Sequence, residues 1–154
     1  MKKIMFVCHG NICRSPMAEF IMKDMVKKSG LENEFFIASS ATSTEEIYMG
    51  KGNPVYPPAK KELEKHGINC EGKTAVQLKK DDYGKYDLFL CMDENNRRNA
   101  LRILVTDTEN KVSKLMDHTE KKGNVDDPWY SGDFVTAYND IYMGCKAILD
   151  ELTK

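Results

Sequence analysis

One stretch constrains this chain more than any other. Ile4-Met5-Phe6-Val7-Cys8-His9-Gly10-Asn11-Ile12-Cys13-Arg14-Ser15-Pro16 is an apolar run that stops at a cysteine, turns on a glycine and opens a helix on a proline. Ile4 to Val7 has the pattern of a buried strand, and Pro16 suits the first turn of a helix, where a missing N–H costs nothing. The residues between them form a loop aimed at a helix N-terminus. Backbone N–H groups of such a loop, backed by the positive end of the helix dipole, make an anion site. Arg14 adds a guanidinium fork for two anionic oxygens. Cys8 stands where the strand stops, so a curled loop holds its sulfur beneath the anion, in surroundings that favour a thiolate nucleophile. A cysteine by itself is often only a small buried hydrophobe, but the whole string in this order is far more specific. A zinc site from Cys8, His9 and Cys13 with His66 and Cys70 lacks the usual close ligand spacing, so neither metal nor cofactor is expected.

The rest of the chain supplies a scaffold for that loop. Ala18, Ile21, Met22, Met25 and Val26 fall on one helical face, and Gly30 reads as the stop. Phe35 to Ala38 is a second short strand ending at Ser39-Ser40. From Ala41 to Pro58 glycine and proline break any period, so a long surface loop is predicted, a candidate wall of the site. Pro58 to His66 fits a short helix and Thr74 to Tyr83 a weaker one. Leu88 to Met92 is a strand buried on both faces, ending at Asp93. Glu94 to Leu104 is helical, Lys111 to Met116 a short edge strand, and Phe134 to Leu152 a final amphipathic helix. Strands alternating with helices give an α/β class: a doubly wound central parallel sheet of about four strands with helices on both faces. Ligands in such sheets bind beyond the carboxyl ends of the strands, which places Cys8, Ser39, Asp93 and Asp127 along one edge.

At 154 residues the chain has room for one domain, 1–154. Its net charge of −1, with acids and bases scattered, offers no basic face to nucleic acid or to a membrane. Five cysteines without regular spacing argue for a reducing compartment, the cytoplasm. A monomer or weak dimer is expected.

If the loop holds a phosphate monoester, Cys8 attacks phosphorus, and the leaving oxygen needs a proton from a carboxylic acid on the far side. Asp127, stiffened by Pro128, is the candidate, with Asp126 as the minor alternative. Trp129 and Tyr130 follow directly and can flank an aromatic leaving group.

Val7-Cys8-His9-Gly10-Asn11-Ile12-Cys13-Arg14-Ser15-Pro16 resembles the active-site signature of the low molecular weight protein tyrosine phosphatases, and Asp127-Pro128-Trp129-Tyr130 resembles that family's second motif. The resemblance implies that Cys8, Arg14 and Asp127 are catalytic. It implies that His9, Gly10, Asn11, Ile12, Cys13 and Ser15 line the phosphate site with Trp129 and Tyr130. It also implies that Asn11, Ser15, Ser39 and His66 form a network holding the loop, and of the two readings of Cys13, a reversible disulfide that protects Cys8 or a side chain that merely packs under the loop and leaves Cys8 open to irreversible oxidation, it favours the first. The implied substrates are phosphotyrosine proteins or small aryl phosphates.

Three other readings compete. An arsenate reductase needs extra thiols, but Cys70 and Cys91 lack the close spacing of a redox pair. Related protein arginine phosphatases place threonine where Ile12 stands. A phospho-ligand binding module needs Arg14 and the loop but neither Cys8 nor Asp127.

Overall fold

The structure is a computed structural model and describes residues 1–154. Four parallel strands form the central sheet: β1 (Lys2–Cys8), β2 (Phe35–Ala41), β5 (Leu88–Cys91) and β6 (Val112–Lys114), in the order β2-β1-β5-β6. The first crossover leaves β1 in one direction and the next returns to its other side. The switch point therefore falls between β1 and β5, where the end of Cys8 faces the end of Cys91 across a crevice.

Side chains of β1 alternate between two cores. Ile4, Phe6 and Cys8 pack with α1 (Arg14–Lys28), α2 (Pro57–Lys65) and α5 (Phe134–Leu152). Met5 and Val7 pack with Ala100 and Leu104 of α3 (Glu94–Leu104) on the opposite face. Along α1 the predicted stripe is buried, Ile21, Met22, Met25 and Val26 all included; each large apolar side chain removed from water contributes about 1.5–3 kcal/mol. The helix ends as its sequence suggests, with Gly30 at φ +73° and Leu31 N–H returning to the Val26 carbonyl.

Two expectations change. Thr74 to Tyr83 is not a helix. Its first half is extended, because the Ala75 N–H donates to Asn53, the Val76 carbonyl accepts from Ala41, and the Leu78 N–H donates to the Ala41 carbonyl. Only Lys80–Gly84 winds into a 3-10 turn. Long-range pairing to the end of β2 outweighs a weak local preference. The segment 41–58 is also more ordered than a plain loop: β3 (Ile47–Tyr48) and β4 (Lys51–Gly52) make a small antiparallel hairpin with Tyr48 and Met49 exposed at its tip. The edge strand is shorter than 111–116, since Leu115–His118 already turns as a 3-10 helix.

Gly52 seats the hairpin. A Cβ there would stand 2.0 Å from the Ala75 carbonyl oxygen, a backbone atom that cannot turn aside. Gly52→Ala is therefore expected to lift the hairpin and to destabilise the protein by about 1–3 kcal/mol. Urea unfolding measures this, and an unchanged midpoint would show that the contact yields freely.

Candidate active site

The loop from Cys8 to Arg14 curls because Asn11 takes a left-handed conformation, φ +60°, which its short polar side chain tolerates. Neighbouring segments hold the loop from outside. The Cys8 carbonyl accepts from Thr42 N–H, the His9 carbonyl from Ser43 and the Ile12 carbonyl from Tyr56, at 2.8 to 3.0 Å. With carbonyls tied outward, the loop's N–H groups are left to face inward. Cys13 precedes the helix without a side-chain cap, so the first N–H groups of α1 are likewise open to an anion.

Cys8 Sγ lies on the floor, 3.0 Å from Ser15 Oγ and 3.3 Å from the Asn11 N–H that donates to it. Arg14 is only 4% exposed and already fixed: Nη1 donates to the Val125 carbonyl at 3.1 Å, and Nη2 to Asp93 Oδ2 at 2.9 Å. Asp127 approaches the same guanidinium at 3.4 Å through Oδ2, while its Oδ1 accepts from Trp129 N–H and caps α4 (Pro128–Ser131). The acid segment reaches the sheet edge because Val125 N–H donates to the Met92 carbonyl just beyond β5. It does not follow directly on a strand.

These groups share one cavity of about 230 Å³, lined by residues 8 to 14 with Asp127, Trp129 and Tyr130 on one side and Glu45 and Glu46 on the other. Trp129 packs against Tyr56 in a tilted pair, ring centroids 4.9 Å apart, and remains half exposed, while Tyr130 is almost wholly exposed. Glu45 pairs with His9 at 3.0 Å. Glu46 accepts from the Asn53 side chain at 3.0 Å. Tyr48 is exposed and does not line the cavity.

The expected network is present except for one member. Asn11 Nδ2 donates to Ser15 Oγ at 2.7 Å and to Ser39 Oγ at 2.9 Å. His66 makes no hydrogen bond to any of them: it stacks on Tyr138 with ring centroids 3.8 Å apart and faces Glu62 at 3.3 Å. The end of α2 carries it to the α5 side of the domain. In its stead Glu19 accepts from the Ser39 hydroxyl at 2.6 Å, and Lys73 donates to the Ser39 carbonyl at 3.0 Å.

All five cysteines are free thiols and buried. Burial, reinforced by a negative Cys8, pushes the Cys13 thiol up to about 12. Cys70 and Cys91 do not reach the cavity.

The 41–58 segment does supply a wall, with Glu45 and Glu46 in the cavity lining and Tyr56 behind Trp129. Sequence reasoning missed Asp93 as the holder of Arg14, and Glu19 and Lys73 under the loop; of these only Asp93 carried a signal, its place at the end of a buried strand.

A cysteine in an anion cradle, with an arginine and a carboxyl group lining the same cavity, is an arrangement suited to displacement at phosphorus. The family model described as low molecular weight phosphotyrosine protein phosphatase matches residues 3–154. The chain is similar to the enzyme of that name from Gallus gallus, 39% identical over 98% of this chain and 96% of the relative. The crystal structure of YfkJ from Bacillus subtilis superposes with a TM-score of 0.91 at 32% identity, over 99% of this chain and 94% of that one. That of SP-PTP, a low molecular weight protein tyrosine phosphatase from Streptococcus pyogenes, gives 0.88 at 35% identity, over 100% and 95%. With the family model matched from residue 3 to residue 154 and a relative 39% identical over almost the whole chain, this chain belongs to the low molecular weight phosphotyrosine protein phosphatase family.

Proposed function

We propose that the protein hydrolyses phosphotyrosine in proteins through a phosphocysteine intermediate. The observation that carries this reading is the shared cavity: Cys8 Sγ at its floor, Arg14 beside it and Asp127 across it. The phosphoryl oxygens lie against Arg14 and the loop amides, which spread the charge of the transition state. A sulfur–phosphorus bond forms as the phosphorus–oxygen bond breaks, and Asp127 gives its proton to the departing phenoxide. Water then attacks phosphorus, Asp127 takes a proton from it, and the sulfur leaves as a thiolate facing Ser15. No step calls for a metal or cofactor, because Arg14 and the amides supply the positive charge.

Trp129, braced by Tyr56, gives the mouth a flat apolar side, and Ile12 contributes methyl groups rather than a hydroxyl. Both suit an aromatic ring. Glu45 and Glu46 add an acidic rim that favours basic residues beside the phosphotyrosine. The five unpaired thiols fit a reducing compartment such as the cytoplasm, and no helix is long and apolar enough to cross a membrane.

A panel of phosphopeptides tests the reading. Phosphotyrosine is expected to exceed phosphoarginine and phosphoserine by about 10²-fold or more in kcat/KM. Basic flanks are expected to exceed acidic ones at low salt. Ile12→Thr is expected to shift the balance towards phosphoarginine. Comparable wild-type rates on phosphotyrosine and phosphoarginine would remove the tyrosine assignment.

A further inference from the structure

Beneath the loop lies a charged group that the chemistry above does not use. Glu19 on α1 is 5% exposed, yet donors converge on its carboxylate. Lys23 reaches Oε2 at 2.6 Å, the Ser39 hydroxyl donates to Oε1 at 2.6 Å, and Lys73 stands 3.4 Å from Oε1. Lys73 is itself largely buried, and that burial pulls it below the ordinary lysine range against the opposing pull of Glu19. A buried ion pair of this kind adds little net stability. Its effect lies in the bonds that it directs.

Those bonds can be oriented one at a time. The Val76 N–H can only donate, so the Asn11 oxygen accepts it at 3.0 Å and the amide nitrogen faces Ser39 and Ser15, one N–H for each. An ionised Glu19 can only accept, so the Ser39 hydrogen points to it and leaves the Ser39 oxygen for Asn11. The Ser15 oxygen is occupied by Asn11, which turns the Ser15 hydrogen onto the Cys8 sulfur at 3.0 Å. Bonds polarised in one such chain strengthen one another.

We propose that Glu19, paired with Lys23 and Lys73, is a positioning residue for the reaction: by fixing the Ser39 hydroxyl it keeps the Ser39 oxygen for Asn11 and, together with the Val76 N–H, holds the Asn11 amide in the orientation that turns Ser15 onto Cys8, and so favours the thiolate. The proposal rests on Cys8 being the nucleophile. It differs in sign from simple electrostatics, because removing a nearby carboxylate would by charge alone make the thiolate easier to form.

Alkylation of Cys8 by iodoacetamide across pH, assigned by mass spectrometry, reads the thiolate directly. Two double variants remove the Glu19–Lys73 pair without changing net charge, and the one partner left behind, Lys23, has a half-exposed side chain that water can solvate. Glu19→Met/Lys73→Met deletes the acceptor, whereas Glu19→Gln/Lys73→Met keeps an oxygen able to face Ser39. The first is expected to raise the alkylation midpoint and to slow alkylation on the acid side by about fivefold; the second stays within about twofold of wild type. The acid limb of the kcat/KM profile for an aryl phosphate shifts with the first variant. The other ionisable groups that line the pocket, His9, Cys13, Arg14, Glu45, Glu46, Asp127 and Tyr130, are unchanged in both. A midpoint unmoved or lowered in the first variant, or moved equally in both, overturns the proposal. If the first variant does not fold by circular dichroism, Ser39→Ala breaks the chain at one hydroxyl, and an unchanged midpoint there also overturns it. A wild type whose Cys8 is alkylated but which hydrolyses no ester would instead defeat the phosphatase reading.

Discussion

Cys8→Ser and Arg14→Ala are each expected to lower kcat on an aryl phosphate by roughly four powers of ten or more, and the double variant to be little worse than either alone. The reason is the way the two groups share one anion. Arg14 holds the phosphoryl oxygens at the place where the sulfur must strike, so a clamp without its nucleophile, or a nucleophile without its clamp, leaves only weak residual binding. A hydroxyl at position 8 also faces Ser15 and the Asn11 N–H, donors whose benefit goes to a thiolate. Steady-state rates with and without a chelator measure the effect. Additive losses would mean that the two residues act in separate steps, and chelator sensitivity would mean that a metal carries part of the charge.

Asp127→Asn should separate substrates rather than silence the enzyme. On an alkyl phosphate, whose leaving oxygen must be protonated, the expected loss is about 10²–10⁴-fold; on p-nitrophenyl phosphate it is far smaller. Asp126→Asn should do little on either. The Asp126 carboxylate is turned to the Ser131 hydroxyl at 2.6 Å, whereas Asp127 lines the cavity and faces Arg14. Rates on a series of esters of graded leaving-group acidity decide the matter. Equal losses across the series would make Asp127 a cap for α4 and nothing more, and a steeper dependence for Asp126→Asn would move the acid by one residue.

How much of this was legible in the sequence follows from how far apart the cooperating residues lie. The strand, loop and helix from Lys2 to Lys28 are written in neighbouring residues, so apolar runs and one proline suffice to read them. The pairing of Val76–Leu78 with Ala41 at the end of β2 joins residues more than thirty apart, that of Thr74 and Ala75 with Pro54 and Asn53 about twenty, and together they override a weak local pattern. The same distance hides Asp93, which appears as an ordinary helix cap accepting from Asn96 N–H until β5 is set beside β1. His66 shows the opposite failure. A family resemblance drew it into the network, but the helix that carries it ends on the Tyr138 side. No local signal marks Glu19 or Lys73, since a glutamate and a lysine in polar stretches read as solvated until the fold buries them.

Arg14 stands ready before any ester arrives. A free arginine surrenders up to about 2 kcal/mol of rotamer entropy when it is ordered, but here the Val125 carbonyl and Asp93 have already taken that freedom during folding. Asp93, with Asp127 beside it, partly neutralises the guanidinium. Inorganic phosphate, the last product of the proposed cycle, therefore has to leave a softened cation rather than a bare one, so the order that readies Arg14 for an ester is not expected to hold its product tightly.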